Sequence, residues 1–176
     1  MTKKEAENLV TLTLEKWADI VLQIGKTYRE KKNLDKLVSE LLHDIYAFNQ
    51  GDVLFKPTLA KHEQFRSKKE EFVSYFLGQN NVCKEDTGFA IKNWKSIKFE
   101  NYKVVENNDN LLAMGNYFFE NDKNEFLKVE YTFGIIRINN NELRINLHHS
   151  SLPYSGWGKI QMKLGQVKES KSSAYE

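Results

Sequence analysis

The chain of 176 residues has one cysteine, Cys83, and two prolines. A lone cysteine excludes an internal disulfide and a thiolate metal cluster, and is compatible with a reducing compartment. No run approaches the roughly 18–20 apolar residues that span a bilayer. Residues 1–5 carry no apolar secretory core and lead straight into a helix. Charge of one sign is also missing, since 26 basic and 24 acidic residues leave a formal net charge of +2. That balance gives no electrostatic case for nucleic acid or a membrane surface as partner. As the chain stands, a soluble, cytoplasmic protein is expected, with a trimmed presequence as the alternative.

What the chain does have is apolar and aromatic content. Hydrophobic residues make up 40% and aromatics 12%, with 11 Phe and 8 Tyr. This suits one domain with a sizeable core and favours sheet. The lysines at positions 3, 4, 31, 32, 68 and 69 are interleaved with acids and read as solvated helix faces.

Periodicity divides the chain in two. Thr2-Lys3-Lys4-Glu5 fits a capping box, and Val10, Leu14, Trp17, Val21, Ile24 and Tyr28 then mark one face of a long helix. Leu34 to Ile45 carries a second helical pattern that runs to Asn49-Gln50-Gly51. Residues 53–57 read as a short strand ended by Pro57, and Ser67-Lys68-Lys69-Glu70 as a second capping box before a helix stopped by Gly78. Beyond it the period becomes that of strands, expected at about 88–91, 94–106, 111–120, 125–138 and 142–151, with asparagine-rich turns between the last four. Helices first and a meander afterwards predict an α+β fold, with the helices on one face of a curved, mainly antiparallel sheet. A single domain over 1–167 and a polar, disordered tail over 168–176 complete the expected organisation.

The chemistry concentrates at Leu147-His148-His149-Ser150-Ser151-Leu152-Pro153, the end of the last strand. Strict alternation puts Leu143, Ile145, Leu147, His149 and Ser151 on one face, apolar until its last two members. That face is read as core running into a pocket. Adjacent histidines on a strand diverge, and His43, His62 and Cys83 add no recognisable ligand spacing, so no protein-bound catalytic metal is expected. Neither serine sits in a nucleophile elbow. His149 has two readings, a core histidine satisfied by a carbonyl or a group that moves a proton near neutral pH, and the first is the commoner. Thr58, behind Pro57, is either a turn residue or a hydroxyl at a pocket mouth. Tyr75, on the helix before Gly78, is either packing or a phenol that needs a partner.

Taken together, several segments resemble the iota-class carbonic anhydrases. They are Val-Leu-Phe-Lys-Pro-Thr ending at Thr58, Gln-Phe-Arg ending at Arg66, Ser74-Tyr75-Phe76, Gly88-Phe89-Ala90, Ala113 to Phe119, Val129 to Gly134, and His-His-Ser-Ser-Leu-Pro ending at Pro153. The resemblance covers about residues 17–154 and points to the branch that works without metal. It implies an NTF2-like cone, the fold of the association domain of calcium/calmodulin-dependent protein kinase II, and reversible hydration of carbon dioxide to bicarbonate and a proton. It implies no cofactor and no metal, and a homodimer. The implied catalytic groups are Thr58, Tyr75, His149 and Ser151, with Tyr117, Ser151 and Thr58 contacting carbon dioxide or bicarbonate. A non-catalytic association or small-ligand module is the competing reading. An isomerase of the same fold is the third, and Glu130 is the nearest acid for its general base.

Overall fold

The computed structural model describes residues 2–155 apart from 79, 109, 140 and 141. The expected tail, 168–176, and the end of the expected domain lie outside the described residues. Helix α1 runs Lys3–Arg29 and opens on the expected box, with Thr2 N–H donating to Glu5 and Glu5 N–H to the Thr2 hydroxyl. Its face of Val10, Leu14, Trp17, Val21 and Ile24 is buried, and Tyr28 at its end is partly exposed. This stripe lies on the concave side of the sheet, where it meets strand β2, Trp94–Asn107.

The second helix ends earlier than its periodicity predicts. Helix α2 spans Asp35–Glu40 and passes into one π turn, Leu41–Ile45, closed by Tyr46 N–H donating to the Leu41 carbonyl at 3.0 Å. The extra residue in that turn sends Tyr46 out of the helix in extended conformation and into the core. The second capping box is also displaced by one residue. Helix α3, Lys69–Leu77, is capped by Glu71, whose carboxylate accepts from the backbone N–H of Ser67 and Lys68. Gly78 stops it at φ 66°, in the left-handed region that favours glycine.

Strands β1 (Leu54–Lys56), β2, β3 (Asn110–Asn121), β4 (Phe126–Asn139) and β5 (Glu142–Ser151) form one sheet in the order β1-β5-β4-β3-β2. All pairings are antiparallel except β1 with β5. The expected strand at 88–91 does not form. Its amides instead satisfy the last carbonyls of α3, Phe89 N–H on Tyr75 and Ala90 N–H on Phe76, both at 2.8 Å. The result is the expected α+β cone, an open sheet wrapped around aromatic rings from α1, α3, β3 and β4.

Candidate active site

The register of β5 decides which side chains enter the cone. On β4 and β5, Ile135 pairs with Ile145 and Gly134 with Leu147, so Asn146 is an extra residue, a β-bulge. A bulge reverses the alternation beyond it. His148 and Ser150 are therefore buried at 2% exposure each, while His149 is exposed. This corrects the expectation for His149 and Ser151, which face the opposite side of the sheet. There they line a groove of about 470 Å³ with Tyr102, Asn116 and Glu130, and the Ser151 hydroxyl donates to the Glu130 carboxylate at 3.2 Å. Glu130, the nearest acid for an isomerase base, is thus on the outer face as well.

Inside the cone, six segments bring polar groups together. β1 ends at Lys56, and Pro57 turns the chain so that the Thr58 hydroxyl donates to Ser150 Oγ at 2.9 Å. Lys56 Nζ holds the Ser150 carbonyl at 3.2 Å from the edge of the sheet. Tyr117 projects inward from β3, and its phenol lies 3.3 Å from Nε2 of His148. The other ring nitrogen, Nδ1, lies 2.6 Å from the phenol of Tyr46, which accepts the Trp17 indole N–H at 2.8 Å. Tyr75 faces Thr58 from α3.

Burial keeps the imidazole and the phenols of the set neutral. The fully enclosed His148 ring is pushed down to about 3, first by burial and then by the neighbouring His149. It is neutral at physiological pH. Burial raises Tyr117, with the Ser150 and Thr58 hydroxyls offsetting part of the rise. It also raises Tyr75, with Tyr117 adding to the rise and the Leu59 backbone, Thr58 and Arg66 offsetting part of it. The pocket is a set of neutral hydroxyls around a neutral imidazole, with the Lys56 ammonium at its edge. Both imidazole nitrogens face phenols and the set contains no carboxylate, so it does not supply the ligands of a catalytic zinc.

A buried ion pair holds the mouth. Arg66 is joined to Phe55 of β1 by two backbone hydrogen bonds of 2.8 Å. Its guanidinium grips Asp86 with two bonds of 2.6 and 2.9 Å and lies 5.6 Å from the centre of the Tyr75 ring. The neighbouring Glu85 collects the backbone N–H groups of Lys61, His62 and Glu63. Between these loops a cavity of about 20 Å³, room for about one water, opens beside Tyr75 and is also lined by Leu59, Asp86 and Phe89. Cys83 is buried nearby, and burial, then Glu63, pushes its thiol up to about 11, so it is no nucleophile.

Thr58, Tyr75 and Tyr117 of the expected residues therefore come together, and His149 and Ser151 do not. Sequence reasoning missed His148, Ser150, Tyr46, Trp17 and Arg66. One signal for the first two was present, because an isolated glycine in a strand pattern marks a bulge, and Gly134 stands opposite Asn146.

The α+β cone is the fold of the NTF2-like class, and solved structures of that class share it. An NTF2-like-family protein of Streptomyces avermitilis superposes with a TM-score of 0.55 at 13% identity, covering 88% of this chain and 100% of that one. The model of the metal-independent carbonic anhydrase family matches residues 8–152, and the chain belongs to that family. A metal-independent carbonic anhydrase of Nostoc sp. is 30% identical over 151 residues, 84% of this chain and 74% of that protein. The crystal structure of a cyanobacterial iota-carbonic anhydrase complexed with bicarbonate superposes with a TM-score of 0.79 at 29% identity, covering 89% of this chain and 94% of that one.

Proposed function

We propose that this protein hydrates carbon dioxide reversibly to bicarbonate and a proton, without metal, in the pocket of Thr58, Tyr75, Tyr117, His148 and Ser150. The observation that carries the site is the convergence of the Thr58 and Ser150 hydroxyls at 2.9 Å beneath the Tyr117 phenol, inside the fold of this family. The bicarbonate in the cyanobacterial structure supports the same ligand here.

The neutral state of the pocket shapes the chemistry. Zinc enzymes lower the pKa of bound water from 15.7 to about 7 and attack with hydroxide. With His148 held neutral and the phenols far above neutrality, the cation in reach is Lys56, held on the Ser150 carbonyl at the sheet edge, and a hydroxide buried among the hydroxyls would be costly. A neutral route avoids that cost. The oxygen of a water held by Thr58 bonds to the carbon of carbon dioxide as one C=O π bond opens. One water proton passes to Thr58 Oγ1 while Thr58 gives its own to Ser150 Oγ and Ser150 gives its own to a carbon dioxide oxygen, along the direction of the Thr58-to-Ser150 bond. The product is carbonic acid, which ionises to bicarbonate and a proton on reaching solvent. Tyr75 and Tyr117 donate to the oxygens on which negative charge grows, and the aromatic walls hold the reactants together. Slower turnover than a zinc enzyme follows.

The chain is read as a homodimer joined through the outer face of the sheet. Tyr102, Leu112, Met114 and Phe126 stand exposed there, at 84%, 50%, 54% and 71%. Such a patch marks an interaction surface. Sedimentation should give twice the chain mass, and Met114→Lys should give the monomer. No helix among the described residues is long and apolar enough to cross a membrane.

Stopped-flow carbon dioxide hydration on chelator-treated protein tests the activity. Sustained catalysis is expected. Activity that disappears with chelation and returns with added metal overturns the metal-free reading.

A further inference from the structure

Behind the pocket, three side chains on three different elements form a closed line of polar atoms. Trp17 of α1, Tyr46 after the π turn and His148 of β5 are exposed by 1%, 0% and 2%. Indole Nε1–H is a donor only. The Tyr46 oxygen therefore accepts at 2.8 Å, and its own proton needs a further acceptor in a site without bulk water. The group in reach is Nδ1 of His148 at 2.6 Å. Were Nδ1 protonated, the phenol would face two donors and its own proton would be buried without a partner.

We infer that Trp17 and Tyr46 are positioning residues that fix His148 as the Nε2–H tautomer and so give the hydrogen-bond chain a single direction. Trp17 donates to Tyr46, Tyr46 to His148 Nδ1, and His148 Nε2–H to the Tyr117 phenol at 3.3 Å. Tyr117 accepts from behind, and its own proton points forward to Ser150, Thr58 or a bound carbonate oxygen. In the opposite tautomer Nε2 would accept, and the Tyr117 proton would turn back into the protein. The pocket would then lose its donor to the charge that grows on oxygen. This inference rests on the carbonic anhydrase reading for its consequence but not for its geometry.

The packing supports a role for the indole N–H apart from bulk. The Trp17 ring meets His148 and Tyr117 edge-on at 5.9 and 6.0 Å. Trp17→Phe keeps an aromatic ring there and removes the donor. Tyr46→Phe keeps its ring against Phe72, 4.4 Å away, and removes the hydroxyl.

The test is nitrogen-15 NMR of imidazole-labelled protein at neutral pH, combined with stopped-flow kinetics. In wild type, His148 should show an unprotonated Nδ1 and a protonated Nε2. A protonated Nδ1 overturns the proposal, and this reading needs no variant to fold. In Trp17→Phe and Tyr46→Phe the Nδ1 resonance should move toward a mixture of tautomers, and kcat should fall about tenfold or more with a smaller change in KM. Wild-type tautomer and kcat in both variants also overturn it. A wild-type Nε2–H tautomer in a protein that hydrates no carbon dioxide would leave the direction of the chain intact and refute the catalytic reading alone.

Discussion

Gly134 of β4 faces Asn146 of β5 across the bulge, and a Cβ built on Gly134 would lie 2.9 Å from the Asn146 side-chain oxygen. The glycine makes room for the extra residue, and the extra residue turns His148 and Ser150 into the cone. Gly134→Val should force the bulge to shift, at roughly 1–3 kcal/mol in stability. Activity should fall far more than that loss accounts for, by about a hundredfold in kcat/KM, because the site loses its register. Denaturation midpoints and hydration rates on the same preparations check this.

The Ser150 and Thr58 hydroxyls are the groups proposed to move the proton. Ser150→Ala or Thr58→Ala should lower kcat by about 10²–10³-fold, the scale of removing one donor from a preorganised site. His149→Ala should stay within about twofold of wild type, since its ring is on the outer face. A collapse of activity in His149→Ala at wild-type stability would contradict the inward assignment of His148.

Arg66 and Asp86 are both nearly inaccessible, with side chains exposed by 1% and 2%. Arg66→Met strands a buried carboxylate, and about 3–5 kcal/mol should be lost. The melting temperature should drop by on the order of 10 °C, read by differential scanning calorimetry. Asp86→Asn retains a hydrogen-bond acceptor and should lose less.

His148 gives stability a pH dependence of defined sign. Its folded-state pKa of about 3 lies below the ordinary imidazole value of about 6.5. Between those values the unfolded chain binds the extra proton. Stability is therefore unaffected by this group above about pH 6.5 and falls by about 1.4 kcal/mol per pH unit as pH drops toward 3. Urea unfolding between pH 7 and 4.5 should show His148→Gln with a slope shallower by about one proton. An equal slope would contradict a neutral buried ring.

The elements that the sequence makes legible are those whose signals are local. The box at Thr2 and Glu5, the stripe from Val10 to Ile24, Pro57 and Gly78 each mark a boundary that the structure keeps, because each acts through neighbours a few residues away. Thr58 behind Pro57 and Tyr75 on its helix stand out for their hydroxyls, Tyr117 enters only through the family resemblance, and the three converge. Strict alternation through Asn146 puts His149 and Ser151 on the core face in place of His148 and Ser150, and only the partner strand shows that a residue is extra there. Tyr46 lay in what reads as a continuing helix. The π turn that releases it and the Trp17 and His148 contacts that hold it depend on residues 29 and 102 positions away. Arg66 was legible only as part of a motif, since its partner Asp86 lies across two loops.

Serines 150 and 151 are adjacent in sequence and opposite in space, so they test the account most directly. Stopped-flow carbon dioxide hydration should be measured on chelator-treated wild type, Ser150→Ala and Ser151→Ala. Wild type and Ser151→Ala should turn over at comparable rates without metal, and a folded Ser150→Ala should lose about two orders of magnitude or more. Loss in Ser151→Ala with Ser150→Ala unimpaired, or loss in wild type on chelation alone, would contradict it.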